Sequence, residues 1–340
     1  MSNTRNYWRV VMATPAEALA RTVREAEDAG LEGIWVPQLH SPPFVTLAAA
    51  AMVSKRLRLG SGIALAFTRS PVETALSALD LDIISGGRAV LGLGTSIRAF
   101  NENVHGVTYG KPVAHLREVT NIVRAITTEG HSGRLGKFAG EYHNLDLSAL
   151  RIGKPVRDRI PIWLPPLFEP TVRLAGEVAD GLTGHPVWSL HWIENEMTRT
   201  LNDALAKSQR RRSDFTINLW IYTTINKDRQ KAIDDARGTV AFYASIAQYE
   251  KYFAAHGFGE NVRALHAASE RRDFAAMRQA VPDEMVTTFS LAGTPDDARE
   301  RIAKYWTVAD SITLSPPTAM IDIATQLAYQ QAIAETFWRT

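Results

Sequence analysis

Two histidines stand where short apolar segments of the chain end. His40 follows the segment Gly33–Pro37 by three residues, and His185 directly follows the segment Gly181–Gly184. Histidine titrates near neutral pH, so His40 is a candidate proton donor or acceptor. His185 is a candidate contact for a substrate or a cofactor. Either residue could instead have no chemical role, His40 as a loop histidine and His185 as a cap on the end of its segment.

The other candidate residues at segment ends combine glycine with amide, hydroxyl and apolar side chains. They are Gln38, Gly62, Ile63, Ala64, Gly94, Thr95, Asn101, Leu164, Phe168, Glu169 and Thr171. Glycine inside a strand is typical of a bulge or of a backbone that another group approaches closely. An apolar mouth with exposed glycine backbone suits a flat aromatic cofactor better than it suits metal-assisted hydrolysis.

Several kinds of site are not expected from this sequence. The chain contains no cysteine, which excludes disulfides and thiolate chemistry. The histidines and carboxylates show none of the spacings typical of metal ligands, and no pair of carboxylates converges, so we expect no metal site. The GLGTS run at Gly92–Ser96 lacks the third glycine of a dinucleotide-binding fingerprint.

The elements that must position these residues alternate between short β-branched segments and longer helical patterns. This alternation predicts βαβ units and a parallel sheet. Eight strands are predicted: Arg9–Ala13, Gly33–Pro37, Leu57–Ala66, Ala89–Gly94, Ile160–Pro165, Gly181–Gly184, Phe215–Thr224 and Ser311–Ser315. Eight units favour a closed α/β fold, the (β/α)8 or TIM barrel, because an open doubly wound sheet usually has about five to seven strands.

The 340 residues are predicted to form a single barrel domain spanning residues 1–340. It carries an irregular excursion near residues 130–159 and a helical insertion near residues 241–280, which could act as a lid. No stretch of about 18 apolar residues occurs, so no membrane span is expected. The net charge of +2 forms no basic stripe interleaved with aromatic residues, which argues against nucleic acid as a partner. The lack of cysteine and of a secretory signal fits the cytoplasm.

Four sequence blocks resemble the luciferase-like monooxygenase superfamily. They are RSPVETALSALDLDIISGGRAVLGLGTS at residues 69–96, FAGEYHNL at 138–145, LAGEVADGL at 174–182 and AGTPDDARERIAKY at 292–305. Two further blocks, VAFYASIAQYEKYFAAHGF at 240–258 and PDEMV at 282–286, resemble the actinobacterial branch of coenzyme F420-dependent oxidoreductases. Together these blocks extend over nearly the whole chain.

The resemblance implies a barrel that binds the deazaflavin coenzyme F420, or alternatively FMN, where its strands end. It places a cis peptide bond at Gly62–Ile63 behind the ring and Thr95 and Asn101 beside the ring edge. The cofactor's phosphate would approach residues 168–171. A homodimer or higher homo-oligomer is also implied. The sequence has Gln38-Leu39 where the sugar-phosphate dehydrogenase branch has Asp-His, so sugar-phosphate oxidation is not expected.

Three functions remain open from the sequence. The first is hydride transfer between coenzyme F420 and a small organic substrate, with the protein presenting the ring to the substrate in an apolar mouth. The second is an FMN-dependent monooxygenase. The third is a barrel that binds a ligand without catalysis, which is compatible with the apolar Leu39 and the Pro-Pro loop at residues 165–166.

Overall fold

The computed structural model describes residues 6–39 and 41–338, and its residues cluster into two compact units. The first unit contains the described residues up to Gly184 together with Glu196–Asn218. The second contains His185–Asn195 and the described residues from Leu219 onward. His40, the candidate proton donor or acceptor, lies outside the described residues. The assignment of the whole chain to one domain stays a prediction.

The strands are short and many are fully buried, which is typical of a parallel sheet covered on both faces. They are β1 (Tyr7–Val10), β2 (Gly33–Val36), β3 (Arg58–Ser61), β4 (Ala64–Leu65), β5 (Ala89–Gly94), β6 (Lys137–Ala139), β7 (Asn144–Asp146), β8 (Ile162–Leu164), β9 (Gly181–Gly184), β10 (Thr216–Ile225), β11 (Leu291–Gly293) and β12 (Ser311–Ser315).

The helices alternate with these strands. They are α1 (Ala16–Asp28), α2 (Pro43–Val53), α3 (Pro71–Ser85), α4 (Pro112–Glu129), α5 (Glu169–Val178), α6 (Leu190–Trp192), α7 (Thr198–Lys207), α8 (Arg229–Ala244), α9 (Glu250–Phe253), α10 (Gly259–Glu270), α11 (Phe274–Gln279), α12 (Asp283–Phe289), α13 (Pro295–Tyr305) and α14 (Ile323–Phe337). Three π-helical segments, Phe100–Val104, Ile193–Met197 and Ala254–Phe258, interrupt the regular pattern, as do single 3-10 turns at Gly130–Ser132, Arg212–Asp214 and Ala247–Tyr249.

In the first unit, parallel strands lie side by side in the order β1, β2, β3, β5, β8 and β9. The helices α1 to α5 pack as successive neighbours, and α7 packs against α5. A helix between consecutive parallel strands is the repeating unit of the (β/α)8 barrel, the fold class that the sequence predicts. The excursion near residues 130–159 contains the antiparallel hairpin of β6 and β7.

Tryptophan and glycine alternate across the strands of this unit. Trp8 is paired with Gly33, and Trp35 with Gly60, at the same level of neighbouring strands. A Cβ atom on Gly60 would come within 2.1 Å of the Trp35 ring, so the large ring fits only beside glycine. The Trp8 and Trp35 rings stack with their centroids 4.3 Å apart. The buried core of the first unit is therefore built on this pairing of the largest side chain with the smallest.

In the second unit the strand order is β11, β10, β12, and β10 pairs with β11 in parallel. The predicted helical insertion near residues 241–280 corresponds to α9, α10 and α11 with the turns between them. The capping box at Thr294 and Asp297, in which each side chain bonds the other's backbone N–H, fixes the start of α13.

The observed strands differ from the predicted ones in several places. β6 and β7 were not predicted as strands, and β8 is shorter at both ends than predicted. The first strand begins and ends earlier, at Tyr7–Val10. The predicted third strand is divided into β3 and β4 by the peptide bond between Gly62 and Ile63. The three-residue strand β11 was not predicted, because a run as short as Leu-Ala-Gly shows no periodicity. Among the described helices, none combines the length and apolar character needed to cross a membrane.

Candidate active site

The loops that follow β2 and β3 meet at the carboxyl edge of the first unit's sheet. The Gly62 N–H donates to the Val36 carbonyl oxygen at 2.9 Å, and the Gln38 N–H donates to the Ile63 carbonyl oxygen at 3.2 Å. The Gly62–Ile63 peptide bond is cis, as the resemblance implies. β4, which starts at the next residue, pairs with the end of β5. The structure therefore brings Gln38, Gly62, Ile63 and Ala64 together at one edge.

Exposure separates the candidate residues at this edge into two groups. Gly62, Ala64, Gly94 and Leu164 are buried, whereas Gln38, Ile63 and Thr95 remain partly exposed. A Cβ atom on Gly94 would lie 2.1 Å from Ile63 Cδ1 and 2.6 Å from Pro165 Cγ. Protein side chains thus fill the space beside this glycine, and the expected exposed glycine backbone is not found there. Gln38, Ile63 and Thr95 are the members of this set that can contact a ligand.

The Gln38 side chain is held from three directions. Its Oε1 atom accepts hydrogen bonds from the Leu65 N–H at 3.0 Å and from Arg69 Nη1 at 3.0 Å. Its Nε2 atom donates to the Thr68 hydroxyl at 3.4 Å. The guanidinium of Arg69 also lies over the Phe44 ring, 5.5 Å from its centroid. Burial lowers the pKa of Arg69, and the nearby charge of Glu73 partly offsets this.

Asn101 shapes the loop that follows β5. Its Nδ2 atom donates to the carbonyl oxygens of Thr95 and Ile97 at 2.8 and 2.9 Å, and the residue is fully buried. Its Oδ1 atom has no hydrogen-bond partner among the described residues. Two carbonyl acceptors fix the orientation of the amide, so Asn101 holds Thr95 in place from beneath the surface. A direct contact of Asn101 with a cofactor stays a prediction.

The backbone N–H groups just before α5 already have hydrogen-bond partners within the protein. The N–H groups of Leu167 and Phe168 donate to the Thr171 hydroxyl at 2.9 and 3.1 Å, and that hydroxyl donates to the Phe168 carbonyl oxygen. Glu169, the first residue of α5, is exposed and paired with Arg173. These two N–H groups are not available to a phosphate, and a carboxylate stands beside them. The predicted phosphate contact at Phe168, Glu169 and Thr171 thus has little support from the local hydrogen bonds.

His185 lies in the second unit, just after β9. The Val187 N–H points at its Nδ1 atom at 3.4 Å, which places the proton of the neutral ring on Nε2. The Nε2 atom lies 2.9 Å from the Tyr249 hydroxyl oxygen and so donates to it. Burial lowers the pKa of His185 to about 3, so the imidazole is neutral at pH 7.

Tyrosines that were not predicted surround this histidine. The Tyr243 ring packs edge-on against both His185 and Tyr249, and its hydroxyl lies 3.0 Å from the Tyr222 hydroxyl. The Thr318 hydroxyl donates to Tyr222 at 3.4 Å. Burial raises the pKa values of Tyr222 and Tyr243, so both keep their protons. Tyr243 and Tyr249 lie in the block at residues 240–258 that resembles F420-dependent proteins, and this block was the sequence signal that could have indicated them.

The described residues provide no group of three or more histidines and carboxylates that could hold a metal ion. A separate cavity of about 200 Å³ in the second unit is lined by Ser189, Leu190, His191, Thr287, Thr288, Arg301, Lys304 and Tyr305. None of the candidate residues lines it. The roles of all candidates as cofactor contacts, including His185, stay predictions, and so does the proton transfer assigned to His40.

Comparison with known proteins places this geometry in a family. The family model for luciferase-like monooxygenase matches residues 2–309. The 5,10-methylenetetrahydromethanopterin reductase of Archaeoglobus fulgidus is 32% identical over 288 residues, covering 82% of this chain and 83% of the relative. A Mycobacterium tuberculosis protein with the provisional name coenzyme F420-dependent oxidoreductase is 30% identical over 331 residues, covering 92% of this chain and 93% of the relative.

A solved structure extends the comparison to the fold. The coenzyme F420-dependent tetrahydromethanopterin reductase of Methanopyrus kandleri superposes with a TM-score of 0.80 at 22% identity, covering 98% of this chain and 99% of that one. The predicted (β/α)8 fold class is thereby confirmed. The chain belongs to the luciferase-like monooxygenase family.

Proposed function

We propose that the protein is an oxidoreductase that transfers a hydride between coenzyme F420 and a small organic substrate. The character of the described strand ends carries this proposal. Three of the candidate side chains there are partly exposed, namely the apolar Ile63 and the neutral Gln38 and Thr95, and the described residues hold no cluster of histidines and carboxylates that could bind a metal. Such an edge can hold and orient a flat ring but supplies little reactivity of its own, so a cofactor must bring the redox chemistry. The Mycobacterium tuberculosis relative, whose name gives coenzyme F420 as its cofactor, supports the same choice.

A bound deazaflavin supplies a carbon that accepts and releases hydride. The residues of this chain then have positioning roles. The Ile63 side chain presents an apolar surface, and the Ile63 carbonyl oxygen accepts a hydrogen bond from the Gln38 N–H, which fixes this peptide. Thr95 is held by the buried amide of Asn101. Within the second unit, His185 is neutral because burial lowers its pKa, and it keeps a hydrogen bond with Tyr249.

The alternative is an FMN-dependent monooxygenase, which the family description favours. Fluorescence titration of the purified protein with F420 and with FMN separates the two. We expect saturable binding of F420 that is tighter than the binding of FMN. Tight FMN binding without F420 binding would overturn the proposal, and binding of neither would favour a barrel without redox function.

The titration is repeated with the variant Ile63→Lys, which places a charge on the proposed ring surface. We expect F420 affinity to fall by at least about tenfold, because a lysine ammonium cannot be desolvated cheaply against an apolar ring. Ile84→Lys is the matched control, since Ile84 is an exposed isoleucine on α3. An equal loss in both variants would show that Ile63 has no special role.

We also propose that the protein acts as a homodimer or higher homo-oligomer in the cytoplasm on a small-molecule substrate, with no nucleic-acid or membrane partner. The absence of cysteine fits a reducing compartment. Light scattering of the purified protein at micromolar concentration tests the assembly. A mass corresponding to a single chain would contradict it.

A further inference from the structure

Arg69 is a partly buried cation whose only hydrogen-bond partner found among the described residues is uncharged. Its Nη1 atom donates to the Gln38 side-chain oxygen, and its guanidinium lies over the Phe44 ring. No carboxylate in residues 6–39 and 41–338 forms an ion pair with it. A guanidinium has five N–H donors, so most of its hydrogen-bonding capacity is uncommitted within this part of the chain.

Other partly buried arginines of the first unit are satisfied in different ways. Arg124 pairs with the carboxylate of Asp180, and Arg157 pairs with that of Asp82. Arg88 has no ion pair, but it donates five hydrogen bonds to carbonyl and hydroxyl oxygens. Arg69 has neither an ion-paired carboxylate nor a set of carbonyl acceptors among the described residues, and the charge of Glu73 only partly offsets the lowering of its pKa by burial. Withdrawing such a cation from water is costly unless an anion compensates it.

Gln38 accepts a hydrogen bond from this guanidinium at 3.0 Å and so fixes one of its nitrogens beside β4. The amide cannot turn away, because its oxygen also accepts from the Leu65 N–H and its nitrogen donates to Thr68. Gln38 and Arg69 follow β2 and β4, whose carboxyl ends share the edge where the ligand site is proposed. The same Gln38 contributes the N–H that fixes the Ile63 carbonyl. The cation is thus connected through one residue to the proposed ring surface.

The start of α5 is a poorer site for an anion than Arg69. Its Leu167 and Phe168 N–H groups are committed to Thr171, and Glu169 adds a negative charge. A phosphate or carboxylate that reaches the carboxyl edge of the first unit therefore finds in Arg69 the better partner.

We infer that Arg69 binds an oxyanion of the ligand, either the phosphate of the cofactor or a carboxylate of the substrate. This inference rests on the proposed function for the identity of the ligand, but not for the anion binding itself. The planar fork of the guanidinium suits both groups, because each offers two oxygens at matching spacing. Gln38 acts as a positioning residue for the fork.

The first experiment needs no cofactor. The unfolding midpoint is measured with rising inorganic phosphate, and separately with acetate, against sodium chloride at matched ionic strength. We expect either anion to raise the midpoint of the wild-type protein more than that of Arg69→Gln, whose own rise measures the general stabilisation by salts excluded from the protein surface. Arg173→Gln, in the middle of α5 where Arg173 pairs with Glu169, is the matched control and should respond as the wild type does. Equal rises in Arg69→Gln and the wild type, or no rise in the wild type, would overturn the inference.

Arg69→Lys separates anion binding from folding. It keeps the charge and loses the fork, so we expect a weakened but measurable response to phosphate or acetate. Equal responses in Arg69→Lys and Arg69→Gln, with both unfolding midpoints lowered in the absence of anion, would reduce Arg69 to a structural role and contradict the inference.

The second experiment identifies the source of the anion. F420 and its ring-bearing nucleoside without phosphate are titrated into the wild type and Arg69→Gln. A cofactor phosphate as ligand predicts about a tenfold to hundredfold loss of affinity for F420 and none for the nucleoside. A substrate carboxylate predicts unchanged affinity for both, together with loss of the acetate response. If the wild type binds neither F420 nor FMN, the proposed function fails, and the phosphate and acetate titrations still decide the role of Arg69.

Discussion

Two regions of the molecule handle charge in opposite ways, although both follow strand ends. In the first unit, Arg69 carries a permanent positive charge against the neutral Gln38. In the second unit, His185 shares a hydrogen bond with Tyr249, and burial lowers the pKa of His185 to about 3, which keeps the imidazole neutral at pH 7. The first arrangement can attract an anion, and the second can only donate and accept hydrogen bonds. Neither changes its charge between about pH 6 and 8.

The largest expected effect is a loss of unfolding free energy on acidification, which tests whether His185 is held neutral. The folded pKa of His185 is about 3, below the 6.5 of an unfolded histidine, so the unfolded state binds more protons between these values. The contribution of His185 to stability is complete above pH 6.5 and is lost as the pH falls toward 3. Each pH unit in that window costs about 1.4 kcal/mol, so the loss reaches roughly 3 kcal/mol near pH 4.

Denaturant unfolding of the wild type and His185→Gln at a series of pH values measures this loss. We expect the variant to show a smaller decline in unfolding free energy on acidification. His131→Gln, at an exposed histidine, should decline as the wild type does. Parallel curves for the wild type and His185→Gln would show that His185 is not held neutral.

The next effect tests the charged region. Gln38→Leu removes the acceptor of Arg69 and of the Leu65 N–H, leaving two donors without their partner. We expect the unfolding free energy at pH 7 to fall by about 2 kcal/mol and the response to phosphate or acetate to weaken. Gln331→Leu, on the exposed face of α14, should change little. An intact anion response in Gln38→Leu would contradict the positioning role of Gln38.

A smaller effect is expected at Tyr249. Tyr249→Phe removes the hydroxyl that accepts from His185 and should cost about 1 kcal/mol of unfolding free energy. The double variant with His185→Gln gives the coupling between the two side chains. Additive losses would mean that the hydrogen bond contributes nothing, whereas coupling of about 1 kcal/mol is the expected result.

The last prediction is that the affinity for F420 does not depend on pH near neutrality. The affinity for F420 should not change between about pH 6 and 8 through either region, because arginine stays charged and His185 stays neutral. Fluorescence titrations at several pH values measure it. A change in affinity centred near pH 6.5 that survives in His185→Gln would point to a histidine in neither region, for which His40 is the candidate.

The sequence predicted the strand ends of the first unit well, because periodicity and glycine position are local properties. The sequence predicted β3 and β4 as one strand, and only the resemblance implied the cis peptide bond at Gly62–Ile63. The place of Gln38 beside Ile63 was not predicted. The exposed glycine backbone was not found, because Ile63 and Pro165 fill the space beside Gly94. Such packing depends on side chains from three separate segments, which a sequence pattern does not order.

The second unit was less accessible to prediction. The position of His185 after β9 was anticipated, but its neutral state was not. That state follows from burial, to which residues about 60 positions further along the chain, Tyr249 and Tyr243, contribute by packing against the ring. The pairing of the charged Arg69 with the uncharged Gln38 was also missed, since the two residues are 31 positions apart. Local patterns predict where a side chain stands, whereas its charge environment requires the folded partners.

Hydride transfer itself is tested most directly by anaerobic oxidation of reduced F420. The purified protein is mixed with reduced F420 and a panel of small carbonyl and alkene compounds, and the absorbance of the oxidised deazaflavin is followed. We expect protein-dependent reoxidation by at least one compound, with one equivalent of reduced product and a slower rate in Ile63→Lys. Substrate turnover that requires reduced FMN and oxygen, with no reaction of reduced F420, would contradict it.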